Sequence, residues 1–189
     1  MHGAGGYKRI IMKIAIIYSS QTGFTQKYAQ WLKEAFGDEA TLFTQKEAKK
    51  SGYNAFGSFD AIIYGGWCCA GSVNGLGWFK SNIMNWNANG KKIAIWATGG
   101  SPIDNPDIEV AFKQMLTEEQ HKAAKLFYCQ GGFDYDKMSR GNKILMKMFV
   151  SMLKKQKDEK SQVVAKMIAT SYDITDKQYI EPIVNYIRG

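Results

Sequence analysis

Histidine and cysteine are scarce in this 189-residue chain. There are three cysteines, Cys68, Cys69 and Cys129, and with only two histidines, His2 and His121, a zinc site is not expected. No CxxC pair occurs, and neighbouring Cys68 and Cys69 would close a disulfide only on a strained backbone. Reduced loop thiols in a reducing compartment are expected instead. No apolar run approaches the roughly 20 residues of a spanning helix. The Gly-rich, polar stretch over residues 1–11 has no signal-peptide core, and Met12-Lys13-Ile14 reads as a natural start. The expectation is a cytoplasmic protein with a flexible extension at 1–11. Neither GxxxxGK[ST] nor GxGxxG is present, which removes the Walker and Rossmann phosphate loops. Without repeats, low-complexity tracts or a long linker, residues 12–189 read as one domain.

What is present is an ordinary globular composition, 45% hydrophobic and 22% charged. Short β-rich runs alternate with helical patterns, the signature of βαβ units around a parallel sheet. Strands are expected over Met12–Tyr18, Glu39–Phe43, Phe59–Tyr64, Lys92–Thr98 and Lys125–Gln130. The runs IAIIY, AIIYG and IAIWA are continuously apolar, as suits strands covered on both faces. Phe24, Tyr28, Leu32 and Ala35 form one helical stripe, closed by Gly37. Further helices are expected over Gly75–Asn85 and Asn105–Leu116, from Thr117, and from about Asp176 to Ile187, where Pro182 implies a delayed start or a kink.

The chemistry concentrates in Ser19-Ser20-Gln21-Thr22-Gly23-Phe24-Thr25, between a buried strand and an amphipathic helix. Unpaired amides and the positive end of the helix dipole favour an anion there. Ser20, Thr22 and Thr25 add hydroxyls and Gly23 permits close approach, with no Lys or Arg in the loop. Ser and Thr also serve as plain N-caps, so this loop alone is ambiguous. Three more loops share the sheet's carboxyl edge, where ligands of open parallel sheets bind. They are Gly65-Gly66-Trp67-Cys68-Cys69-Ala70-Gly71, Thr98-Gly99-Gly100-Ser101-Pro102, and Gln130-Gly131-Gly132-Phe133-Asp134-Tyr135. Clustered glycines, with Trp67 and Phe133 available to cover a flat ring, point to a flavin.

On these residues the chain resembles the flavodoxin family, whose [ST]-x-T-G-x-T loop holds the FMN phosphate. Ser20, Thr22, Gly23, Phe24 and Thr25 match it in place, with Gln21 at its variable position. The resemblance implies a three-layer α/β sandwich: a five-stranded parallel sheet in the order 2-1-3-4-5, with helices on both faces. It implies an isoalloxazine held by Gly66, Trp67, Cys68, Cys69, Ala70 and Gly71 and by Thr98, Gly99 and Gly100, with Trp67 stacking. Gly131, Gly132 and Phe133 complete the expected set. The run GGFDYDKMSRGNKILMKMF, from Gly131 to Phe149, is similar to the branch containing menaquinone-dependent protoporphyrinogen oxidase. Electron transfer to a partner oxidoreductase or quinone is thus expected, with direct action on a quinone or tetrapyrrole near Trp67, Asp134 and Tyr135 as the alternative. A cofactor-free binding module is the further alternative. No acid–base residue is assigned. Small carrier flavodoxins are strongly acidic, whereas this chain is basic.

The net charge of +8 is uneven: residues 137–166 hold nine Lys/Arg and two Asp/Glu. Gly141–Leu153 reads as a helix within a basic, Met-rich stretch at about 138–155. Ile144, Leu145, Met148, Phe149, Met152 and Leu153 form two adjacent rows, and Met146 and Val150 widen the arc beyond the about 100° a packed helix needs. Core or dimer packing, a partner protein, and peripheral contact with the inner face of a membrane are the readings of this helix. Nucleic acid is not expected, because aromatics do not interleave with the basic residues.

Overall fold

The three continuous apolar runs become the three inner strands of the sheet. The computed structural model describes residues 12–69 and 71–189. The expected extension at 1–11 and Ala70 lie outside the described residues. Strand β1 spans Ile14–Tyr18, β2 Ala40–Thr44 and β3 Ala61–Cys69. A short β4, Ser72–Val73, folds back antiparallel on β3, followed by β5, Lys92–Gly99, and β6, Lys125–Gln130. The main strands are parallel in the order β2-β1-β3-β5-β6, which is the expected 2-1-3-4-5 with the hairpin strand counted.

Alternation along each strand sends side chains to two cores. Helix α1, Phe24–Phe36, lays Tyr28, Ala29, Leu32 and Phe36 against Ile14, Ile16, Ile63 and Trp96. The opposite face carries α2, Gln45–Ser51, α3, Leu76–Ala88, α4, Asp107–Met115, and α5, Glu118–Ala123, over Ile17, Ile62, Tyr64 and Ile95. This is the three-layer α/β arrangement expected.

Beyond β6 the chain makes an excursion bracketed by a second, two-stranded sheet. Strand β7, Gly132–Phe133, pairs antiparallel with β8, Tyr172–Asp173. Between them run α6, Arg140–Lys155, and α7, Glu159–Met167, which share a small core of Val150, Leu153, Ala165 and Ile168. The chain then crosses to the α1 face. A 3-10 turn, Lys177–Ile180, leads into α8, Glu181–Arg188, so Pro182 sits in a first turn and the start is delayed rather than kinked.

Two expectations are corrected. The third strand does not stop at Tyr64: Gly65 to Cys69 continue its ladder, pairing Gly65 with Trp96 and Trp67 with Thr98. A Cβ on Gly65 would lie 1.9 Å from the Trp96 indole, so glycine lets that ring cross the strand. Helices α2 and α7 were not expected. Lysine-rich α2 has a single buried residue, Ala48, and is held by a Thr44–Glu47 capping box.

Candidate functional site

The turn from β1 into α1 is built by hydrogen bonds inside the loop and to the β3–β4 hairpin. The Ser19 amide donates to the Gly65 carbonyl at 2.8 Å, and its hydroxyl to Asn74 Oδ1 at 2.7 Å. The Gly23 amide donates to Ser20 Oγ at 3.1 Å. Gly23 itself takes φ 100°, a left-handed geometry natural to glycine, and delivers the chain into α1. No side chain caps this helix, and its first turn carries no acidic residue.

Thr25 supplies the decisive detail. The residue is 1% exposed, and its Oγ1 has no hydrogen-bond partner among the described residues. An unsatisfied buried hydroxyl costs about 1–3 kcal/mol. Thr98 Oγ1, at the end of β5, shares this condition. A Cβ on Gly131 would meet Thr98 Cγ2 at 2.7 Å and Phe24 Cβ at 3.6 Å. The Gly131 amide donates to the Gly99 carbonyl at 2.7 Å. The ends of β5 and β6 and the first turn of α1 therefore converge, with two buried hydroxyls lacking acceptors. Uncapped amides, a left-handed glycine and an orphaned hydroxyl form a donor set that fits a phosphate.

Two hollows adjoin this point, and Phe133 lines both. A groove of about 380 Å³ opens at Thr22, Gly23 and Phe24 and is flanked by Lys27, Asp134 and Lys137. A cavity of about 670 Å³ lies on the α4 side, between Cys68, Gly99 and Gly100 at the strand ends and Met146, Phe149 and Leu153 of α6. Phe133 packs edge-on to Tyr172, ring centroids 5.4 Å apart, and Tyr172 donates its hydroxyl to the Gly100 carbonyl at 2.7 Å.

The expected site residues fall into three groups. Ser20, Gln21, Thr22, Gly23, Phe24 and Thr25 form the turn and first helical residues as predicted from the sequence. Gly66, Gly99, Gly100, Gly131 and Gly132 all have close protein neighbours. A Cβ would meet Val73 Cγ1 at 2.5 Å, Tyr128 OH at 2.5 Å, Phe133 Cε2 at 2.5 Å, Thr98 Cγ2 at 2.7 Å and Tyr172 O at 2.0 Å, respectively. Packing thus accounts for each of these glycines. Trp67 and Cys68 lie on opposite faces of the sheet. Trp67 is half-buried beside Thr98 in register, while Cys68 borders the larger cavity. Gly71 turns the β3–β4 hairpin with φ 76°, and the Cys69 backbone pairs with Ser72. Ala70 lies outside the described residues.

Hydrogen bonding in the Asp134–Tyr135 turn looks inward. Lys137 bonds Asp134 at 3.1 Å and holds its carboxyl below the usual range, and Tyr135 donates to the Ile168 carbonyl at 2.6 Å. Sequence reasoning missed Asn74, which holds Ser19 of the first loop to the hairpin. Asn74 belongs to no motif, and only the fold brings the two together across 55 residues. Cys129 is fully buried, and burial pushes its thiol well above the ordinary range. Among the described residues no cluster of His, Cys, Asp and Glu is arranged to hold a metal ion, and no helix is long and apolar enough to cross a membrane.

A family model described as a flavodoxin domain matches residues 15–160. Among solved structures, oxidised flavodoxin 2 from Bacillus cereus aligns at 22% identity, covering 62% of this chain and 84% of that one, with a TM-score of 0.45. Two-electron reduced Megasphaera elsdenii flavodoxin aligns at 16% identity over 68% and 89% of the two chains, also with a TM-score of 0.45. A flavoprotein from Lactobacillus acidophilus NCFM, solved in complex with FMN, aligns at 13% identity over 63% and 92%, with a TM-score of 0.40. No curated protein matches the sequence.

Proposed function

Because the chain belongs to the flavodoxin domain family, we propose that it binds FMN non-covalently and passes electrons through it to a quinone or a partner oxidoreductase. The observation that carries this reading is the orphaned Thr25 hydroxyl at an uncapped helix start. Amides at the start of α1, with the hydroxyls of Ser20, Thr22 and Thr25, hold the phosphate, and Lys27 and Lys137 flank the groove. The ends of β3 and β5, from Gly66 to Gly71 and from Thr98 to Gly100, orient the ring, with Trp67 against it. Bound there, FMN supplies electron and hydride chemistry, and the protein supplies orientation and electrostatics.

The apolar cavity beside Gly99 and Gly100 favours a second reading, direct action on a flat apolar substrate. Met146, Phe149 and Leu153 wall it with adaptable, uncharged surface. A quinone ring fits that lining. This agrees with the resemblance of the Gly131–Phe149 run to the protoporphyrinogen oxidase branch.

The test begins with the protein stripped of any flavin and titrated with FMN and with riboflavin. FMN should bind and riboflavin should bind far more weakly, since only FMN presents the dianion. No binding of either would leave a scaffold without this cofactor, and equal affinities would overturn the phosphate site. The holoprotein, reduced anaerobically, should then reoxidise on adding a menaquinone analogue. Reoxidation only in the presence of a second protein would assign it to the carriers, and turnover of protoporphyrinogen alone would establish the enzyme.

A further inference from the structure

Helix α6 has three faces, and the fold uses only one of them fully. Val150 and Leu153 turn into the small core with α7, and Met146 and Phe149 border the apolar cavity. A second face stays open: Ile144 is 60% exposed, Leu145 63%, Met148 63% and Met152 50%. A third carries Lys143, Lys147 and Lys154, which line a shallow groove with Val150 and the turn at Ala169–Ser171. Helix α6 contains five cations, Arg140, Lys143, Lys147, Lys154 and Lys155, and no acid. No ion pair engages any of them among the described residues.

We propose that α6 docks flat on an anionic lipid surface, with Ile144, Leu145, Met148 and Met152 entering the headgroup boundary and the lysine stripe resting on lipid phosphates. This goes beyond the flavin reading and does not depend on it. Charge complementarity selects the occupant. Four of the five cations are lysines, a residue depleted from protein interfaces, and the open face of Ile144, Leu145, Met148 and Met152 holds no Trp, Tyr or Arg anchor. A second copy of this chain would set two acid-free cationic helices side by side, where like charges repel. An amphipathic helix with a basic flank is what an anionic bilayer surface holds in its plane. With five cations in 16 residues, α6 rests on the bilayer instead of crossing it.

The experiment is co-sedimentation of the full chain with vesicles of phosphatidylcholine alone and with phosphatidylglycerol added. Binding to the anionic vesicles, weakened by salt, is the expected result. Each lysine contributes about fivefold, so replacing Lys143, Lys147 and Lys154 with Gln should lower the partition by about 100-fold. Leu145→Ser with Met148→Ser should reduce it by about tenfold or more at unchanged circular dichroism, because both side chains are mostly outside the fold. Equal binding to both vesicle types, or to neither, would overturn the proposal. So would a lipid-free dimer in sedimentation velocity that the Leu145/Met148 variant disperses, since a second copy would then cover this face.

Discussion

Asn142, in the first turn of α6, donates its side-chain amide to Gln21 Oε1 at 2.8 Å, joining the basic helix to the anion-favouring turn across 121 residues. Anchoring the turn should therefore quieten the helix start. Amide exchange at residues 140–144 is expected to slow when FMN is added. In Gln21→Ala the slowing should vanish while FMN affinity changes by no more than about tenfold, since one exposed hydrogen bond contributes about 0.5–1.5 kcal/mol. Mass-resolved hydrogen exchange checks this. Slowing that survives the substitution would show that the contact transmits nothing.

Thr25→Val separates binding from folding. The hydroxyl has no partner in the fold, so its removal should leave the flavin-free protein as stable or more so. FMN affinity should fall about tenfold to 100-fold, corresponding to the about 1.5–3 kcal/mol of a hydrogen bond to a charged group. Thr25→Ser should restore it. Thermal melts of the flavin-free protein beside fluorescence titrations give both readouts.

Two glycine substitutions should act with opposite sign. Gly65→Ala pushes a methyl into the Trp96 indole at 1.9 Å, and overpacking of this kind costs about 1–3 kcal/mol or more. Gly77, within α3, has nothing within 4 Å of an added Cβ, and Gly77→Ala should stabilise by about 0.5–1 kcal/mol. Urea midpoints compare them directly.

Alkaline pH should weaken the fold through its phenols. Burial pushes Tyr28, Tyr64, Tyr128 and Tyr172 above the ordinary value of 10.0. The folded chain keeps these protons where the unfolded chain releases them. Their contribution is thus intact below pH about 10 and lost as the pH rises beyond it. The urea midpoint should fall over that interval, with phenolate absorbance lagging behind that of the unfolded chain. Native and unfolded titrations that coincide would contradict the buried placement.

The sheet was largely legible because three of its strands are covered on both faces and so are written as unbroken apolar runs. The phosphate-type turn was legible because its residues are consecutive. Ends and glycines were harder. Gly65 and Gly66 carry no side chain, so the pattern falls silent where β3 continues. Trp96, the neighbour of Gly65, comes from a strand about 30 residues on, and Gly66 is closed over by Val73 of the hairpin only once β3 folds back on itself. Helix α6 was read as an over-wide apolar arc, yet only the structure separates Val150 and Leu153, turned inward, from Leu145 and Met148, turned out.

The pairing of Gly132–Phe133 with Tyr172–Asp173 brings the exit and return of the chain side by side. Everything from Asp134 to Ser171 hangs from that ribbon as an appended module whose root spans only a strand-to-strand distance. A tight turn grafted from Phe133 to Tyr172 would bridge the same gap, leaving the doubly wound scaffold with its first turn and stripping away the cavity wall and the cationic helix together. Cofactor retention and the choice of electron acceptor would then become experimentally divisible within one polypeptide.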